Sequence, residues 1–142
     1  MISFQGVDVD VPVMNREVLK KWINGFVGSY GKVVGELYYL FCSDEYLYKM
    51  NVEVLRHDFY TDIITFQSND NDTVLSGEIY ISIDRVKENA LALGLRYEDE
   101  LNRVMAHGVL HLMGFKDKTD EDAIMMRQQE DFCLKMRNLY GF

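Results

Sequence analysis

Proline occurs once in this 142-residue chain, at Pro12, and cysteine only twice, at Cys42 and Cys133. With one proline, no low-complexity tract and no block of like charges, no stretch reads as a linker. The expectation is a single domain over residues 1–142. The two cysteines are far apart and fit no Cys-x-x-Cys pattern, so they read as buried free thiols of a reducing compartment. No apolar run approaches the ~18 residues needed to span a membrane. Met1 to Asp10 carries neither the basic nor the apolar segment of a secretory signal. A cytoplasmic protein with no membrane partner is expected. Positive charge is scarce as well: 15 Lys and Arg face 23 Asp and Glu, a net charge of −8. A broad, non-specific nucleic-acid surface would be basic. Any RNA contact is therefore expected to be local, near Arg56, Arg103, Lys116 and Lys118, with Lys20, Lys21 and Lys32 as further candidates.

Histidine is also rare, with three in the chain, and two of them fall in one short stretch: His107-Gly-Val-Leu-His111-Leu-Met-Gly114-Phe-Lys-Asp117. Residues four apart share a helix face, with Cβ atoms about 5–6 Å apart. Both imidazoles can therefore reach one ion, and neutral imidazole is the commonest metal ligand. Gly114 can end the helix, and Asp117 follows as a third ligand. Three protein ligands and an open position form the arrangement used for catalysis rather than for structural bracing. His-x3-His-x2-Gly-x2-ligand is also the spacing of the metzincin zinc proteases. Those enzymes need Glu directly after the first His as general base. Gly108 stands there and cannot take a proton, which argues against peptide hydrolysis by that route. The bland alternatives are packing histidines on a half-buried helix and a turn aspartate, and Asp120, Glu121 and Asp122 follow closely.

Periodicity places the rest. Residues 2–11 alternate as a strand or hairpin. Leu19, Trp22, Ile23, Phe26 and Val27 form one helical face that ends near Gly28. Val33 to Cys42 is β-branched and aromatic, a strand. Ser43 caps a helix with Asp44 and Glu45 in its first turn. Asp62–Gln67 and Gly77–Ile83 read as strands, with a polar turn over 68–73. Asp84 is expected to cap a helix through Leu93, closed by Gly94. A further helix covers Glu98 to Met113. Thr119 with Asp122 fits a capping signature. It opens a last helix whose Ile124, Met125, Phe132, Met136 and Leu139 are expected to point mostly inward. The expected fold is α+β: a small mixed β-sheet packed with helices, with the metal site on a helix of the C-terminal half. The methionines and most Phe and Tyr residues fall at core spacings and receive no cofactor role.

Polar residues flank the short strand at 63–66. Among them Arg56 offers a planar fork of donors suited to phosphate and to charge developing in a transition state. Its bland reading is a surface ion pair with Asp58 or Asp62. His57 is not read as a ligand, and Thr61-Asp62 reads as a turn or strand start.

Three ordered blocks carry a resemblance: Asn51…Arg56-His-Asp58-Phe-Tyr-Thr61-Asp62-Ile-Ile-Thr-Phe66, then Gly77-Glu78-Ile-Tyr-Ile-Ser82, then His107-Gly-Val-Leu-His111-Leu-Met-Gly114-Phe115. Together they cover about residues 47–130. The sequence resembles the bacterial YbeY endoribonucleases, the rRNA maturation factors. The resemblance implies an α+β fold, one zinc ion and hydrolysis of single-stranded RNA. It implies roles in small-subunit rRNA 3′ end processing and ribosome quality control. It suggests a small-subunit ribosomal protein and the GTPase Era as partners, and a cleft role for Arg56. The family motif carries three histidine ligands; His107 and His111 match two, and the third falls on Asp117. Aspartate can ligate zinc, but two His and one carboxylate also suit another divalent transition metal such as non-haem iron. Lys116, Gln67 and Glu78 also depart from the family pattern, away from the chemistry.

The leading expectation is a zinc-dependent endoribonuclease with His107, His111 and Asp117 as metal ligands and Arg56 as the catalytic side chain. The alternative is a non-catalytic, metal-containing ribosome-assembly factor that binds rRNA or a ribosomal protein. A small hydrolase acting on another substrate, such as a peptide, is a third reading, which Gly108 weighs against.

Overall fold

The computed structural model describes residues 1–68 and 71–142. Along the chain run β1 (Ile2–Gly6), α1 (Arg16–Ser29), β2 (Val33–Cys42), α2 (Asp44–Glu53), β3 (Ile63–Gln67), β4 (Val74–Ser82), α3 (Ile83–Leu93), α4 (Tyr97–Leu112), α5 (Asp120–Lys135) and a 3₁₀ turn at Met136–Leu139. The strands form one mixed sheet in the order β1-β2-β4-β3. β1, β2 and β4 run parallel, and β3 returns antiparallel along β4 with Thr65 opposite Ile79. The expected α+β class holds. The hairpin alternative for residues 2–11 does not: β1 pairs parallel with β2, and residues 7–11 form no strand. Part of the polar turn expected over 68–73 lies outside the described residues.

Successive strand residues point to opposite faces of a sheet, and that alternation builds the core. Ile2 and Phe4, then Leu37, Tyr39 and Phe41, then Leu75, Ile79 and Ile81 are buried in one cluster. Against them pack Leu19, Trp22, Ile23, Phe26 and Val27 of α1 and Leu101, Val104, Met105, Val109 and Leu112 of α4. Buried polar atoms are costly unless they are hydrogen-bonded. Here the Tyr39 hydroxyl donates to the Met105 carbonyl at 2.9 Å, and the Trp22 indole donates to the Cys133 carbonyl at 2.7 Å. Both bonds tie helices to the core. A smaller cluster of Cys42, Leu47 and Ile64 seats α2 on the other sheet face. Both thiols are buried and free. Burial, above all, pushes each up to about 12.

Helix starts follow capping chemistry. Asn15, Ser43 and Thr119 side chains each accept a backbone N–H three residues on. At α3 the cap is Ser82, whose hydroxyl accepts from Arg85 N at 3.1 Å, and not the expected Asp84. Ser82 is the last residue of β4, so strand passes to helix without a loop and Asp84 falls in the first turn. α5 also turns a different face inward. Met126, Glu130 and Cys133 are buried, whereas Ile124, Met125 and Phe132 are exposed; in the 3₁₀ turn that follows, Met136 packs against the core as expected and Leu139 is exposed. The reason is electrostatic: Glu130 must face two partners on α4.

Candidate metal centre

α4 carries His107 and His111 one turn apart, with ring centroids 4.4 Å apart and planes at 84°. The helix then ends in a Schellman motif. Phe115 N donates to the Leu110 carbonyl and Gly114 N to the His111 carbonyl, both at 3.0 Å. Gly114 takes φ 101°, a region that costs a Cβ-bearing residue but not glycine. This reversal carries the chain back over the last turn and returns Asp117 to the histidines. Asp117 Oδ2 lies 3.3 Å from His107 Nε2 and 3.4 Å from His111 Nε2. Each of the three residues offers a ligand atom within 4.8 Å of the others.

The Nδ1 atoms face the other way and are fully engaged. His107 Nδ1 meets Glu130 Oε2 at 2.6 Å, and His111 Nδ1 meets the Phe115 carbonyl at 3.0 Å. In neutral rings both Nδ1–H groups donate, which leaves both Nε2 lone pairs directed at the site. Glu130 is buried at 3% exposure and belongs to a larger network. Arg103 donates to Glu130 Oε1 at 2.9 Å and grips Glu100, itself fully buried, through both carboxylate oxygens. Burial opposes ionisation of Glu130. The hydrogen bonds from His107 and Arg103 and the charge of the Arg103 guanidinium outweigh it and hold its carboxyl below the usual value. Metal-binding histidines are oriented by such outer carboxylates and carbonyls.

A groove of about 370 Å³ opens at the cluster, lined by His111 and Asp117 together with Asn51, His57, Phe59 and the β3 residues Ile63–Thr65. The Endoribonuclease YbeY family model matches residues 3–138. The chain belongs to the YbeY family. It is 53% identical to the Endoribonuclease YbeY of Porphyromonas gingivalis over 95% of this chain and 89% of that protein. It is 46% identical to that of Cytophaga hutchinsonii over 96% and 95%. The solution structure of TM1509 from Thermotoga maritima superposes with a TM-score of 0.67 at 25% identity, covering 96% of this chain and 89% of that one.

Within this YbeY protein the expected residues fare differently. His107, His111 and Asp117 come together as their spacing required. Asp120, Glu121 and Asp122 instead occupy the exposed first turn of α5. Arg103, a candidate RNA contact, is spent inside the fold on Glu100 and Glu130. Arg56 is exposed and makes no ion pair with Asp58 or Asp62; Asp58 accepts from the Tyr48 hydroxyl instead. Arg56 sits between two groove-lining residues, Leu55 and His57, with φ 58°. A non-glycine residue in that region is uncommon and marks a conformation its surroundings impose. Gly108 has a steric reason to be glycine. A Cβ there would lie 2.8 Å from Ile79 Cγ2 and 2.9 Å from Ile63 Cδ1. The position after the first histidine thus faces the sheet rather than the groove, and a glutamate base has no room there. Sequence reasoning missed Glu130, Glu100 and the Phe115 carbonyl. The one available signal was a glutamate at helical spacing with Met126 and Cys133.

Proposed function

We propose that this protein is a zinc-dependent endoribonuclease, one domain over residues 1–142. It cuts single-stranded regions of ribosomal RNA in small-subunit 3′ end maturation and in ribosome quality control. The observation that carries the reading is the convergence of two Nε2 lone pairs and one carboxylate at the mouth of a groove, in a chain of an endoribonuclease family. His107, His111 and Asp117 would hold the ion. Two nitrogens and one oxygen fit zinc, and the same donors accept other divalent transition metals. When bound, the ion supplies Lewis acidity that polarises a phosphoryl oxygen and acidifies water.

The protein's own side chains do the rest. Glu130 and the Phe115 carbonyl fix both rings, so the ligand atoms are set before RNA arrives. Arg56 presents a guanidinium with no ion pair among the described residues. It is assigned to grip the phosphate and to offset the negative charge that grows as the ester breaks. The working location is the cytoplasm. The small ribosomal subunit is the setting, with a ribosomal protein and the GTPase Era as partners.

The test is cleavage of end-labelled single-stranded RNA with added zinc, comparing wild type with His107→Ala prepared identically. The variant is expected to lose at least about 100-fold in rate while its circular dichroism stays folded. Equal cleavage by both proteins, or none by folded, zinc-loaded wild type, overturns the assignment, and the latter favours a non-catalytic assembly factor.

A further inference from the structure

The groove that His111 and Asp117 line is also lined by a loop that holds aromatic rings out into solvent. Phe59 is 54% exposed and Tyr60 46%. Phe59 stacks on His57 with centroids 5.4 Å apart and planes at 16°, and both line the groove that contains His111 and Asp117. Such exposure costs solvation unless the rings are used.

The loop is also held from behind. Asn51, buried at 1% exposure, donates its side-chain amide to the Phe59 carbonyl at 2.8 Å, and its own carbonyl accepts from His57 N at 2.9 Å. The Tyr48 hydroxyl donates to Asp58, and the Tyr60 hydroxyl donates to Glu45 at 3.0 Å. Tyr48 and Tyr60 stack face to face at 4.3 Å. Four hydrogen bonds and a stacked pair thus anchor residues 57–60 to α2; Tyr60 is covered by Tyr48 and by the Arg85 guanidinium, 5.3 Å from its ring centroid, which leaves the stacked His57 and Phe59 rings at the groove.

Arg56 is the one cation of this loop, and the rest of the charge around the groove is unfavourable for a phosphate-tracking surface. Asp62 and Asp117 line it, and Asp58 belongs to the same loop. Recognition that relied on lysines would need a different lining. Aromatic faces instead take unstacked bases of any sequence, and only a single strand can offer them.

We propose that His57 and Phe59 form a base-stacking platform that seats an unpaired nucleobase of the RNA next to the metal ligands, making this loop a determinant of single-strand preference. The inference rests on the endoribonuclease reading and deepens it. A base stacked there places its own backbone toward Asp117 and His111, across the same groove.

The experiment is fluorescence anisotropy of a labelled single-stranded oligoribonucleotide with zinc-loaded wild type, Phe59→Ala and Phe59→Trp, repeated with an oligonucleotide carrying abasic residues and with the duplex form. Phe59→Ala is expected to weaken single-strand binding roughly tenfold, the size of one lost stacking contact. It should leave duplex and abasic binding unchanged. Phe59→Trp should restore binding, and its indole, the only tryptophan other than the fully buried Trp22, should be quenched by the oligonucleotide. Unchanged affinity in Phe59→Ala, or equal weakening for abasic RNA, overturns the platform while the endoribonuclease assignment stands on wild-type cleavage. A wild type that neither binds nor cuts the single strand overturns both.

Discussion

Behind His107 lies a buried carboxylate in a network of fixed charges, whereas Asp117 stands open to solvent. His107 is held by Glu130, Glu130 by Arg103, and Arg103 by Glu100, all within the α4–α5 interface. Asp117 is 42% exposed and is held by the course of a short turn alone. One side of the site is therefore a by-product of folding the core. The other is a side chain delivered by a surface segment. Rigidity and adaptability are divided between members of one group that could hold a metal ion.

Breaking the buried side should have the larger effect. Glu130→Ala strands Arg103 beside a single acid and frees the His107 ring. Removing one partner of a buried pair costs about 3–5 kcal/mol. A fall in Tm of roughly 6–12 °C or more is expected in calorimetry, together with zinc affinity weaker by about 10–100-fold. An unchanged Tm would mean that the network contributes nothing to the fold. Asp117→Ala comes next. It should weaken zinc binding by titration calorimetry, yet shift the stability of the metal-free protein by no more than about 0.5 kcal/mol. A large loss of metal-free stability in that variant would erase the contrast between the two sides. The smallest effect is in pH. The Glu130 carboxyl lies below its ordinary value of 4.5. Its contribution is complete above that value and is lost as pH falls through the lower folded one. Without metal, Tm should fall more steeply for wild type than for Glu130→Gln on acidification below 4.5.

The contrast also separates what could be read from the chain. His107, His111, Gly114 and Asp117 are local. Helical spacing and one reversal put them together, so eleven consecutive residues were enough. Glu130 lies 23 residues beyond His107, and its meaning depends on how α5 packs. Apolar periodicity favoured Ile124, Met125 and Phe132 as the inward face, but Glu130 is the residue turned inward, toward Arg103 and His107 of α4. The strands at 33–42 and 63–67 and the caps Ser43 and Thr119 were legible because their signals are short-range. Ser82 was not, because its residue ends a strand and caps a helix at once. Phe59 was not singled out from the sequence, since exposure belongs to tertiary structure.

The two thiols described above have a consequence for the chemistry of the site. Thiolate, not thiol, is the form that attacks oxidants and captures soft metals. Cys42 and Cys133 are sealed in the interior and stay protonated far above neutrality. The histidine nitrogens and the Asp117 carboxylate therefore face no sulfur competitor from within their own fold. The ligand set is redox-silent: its composition does not change when the surroundings become oxidising.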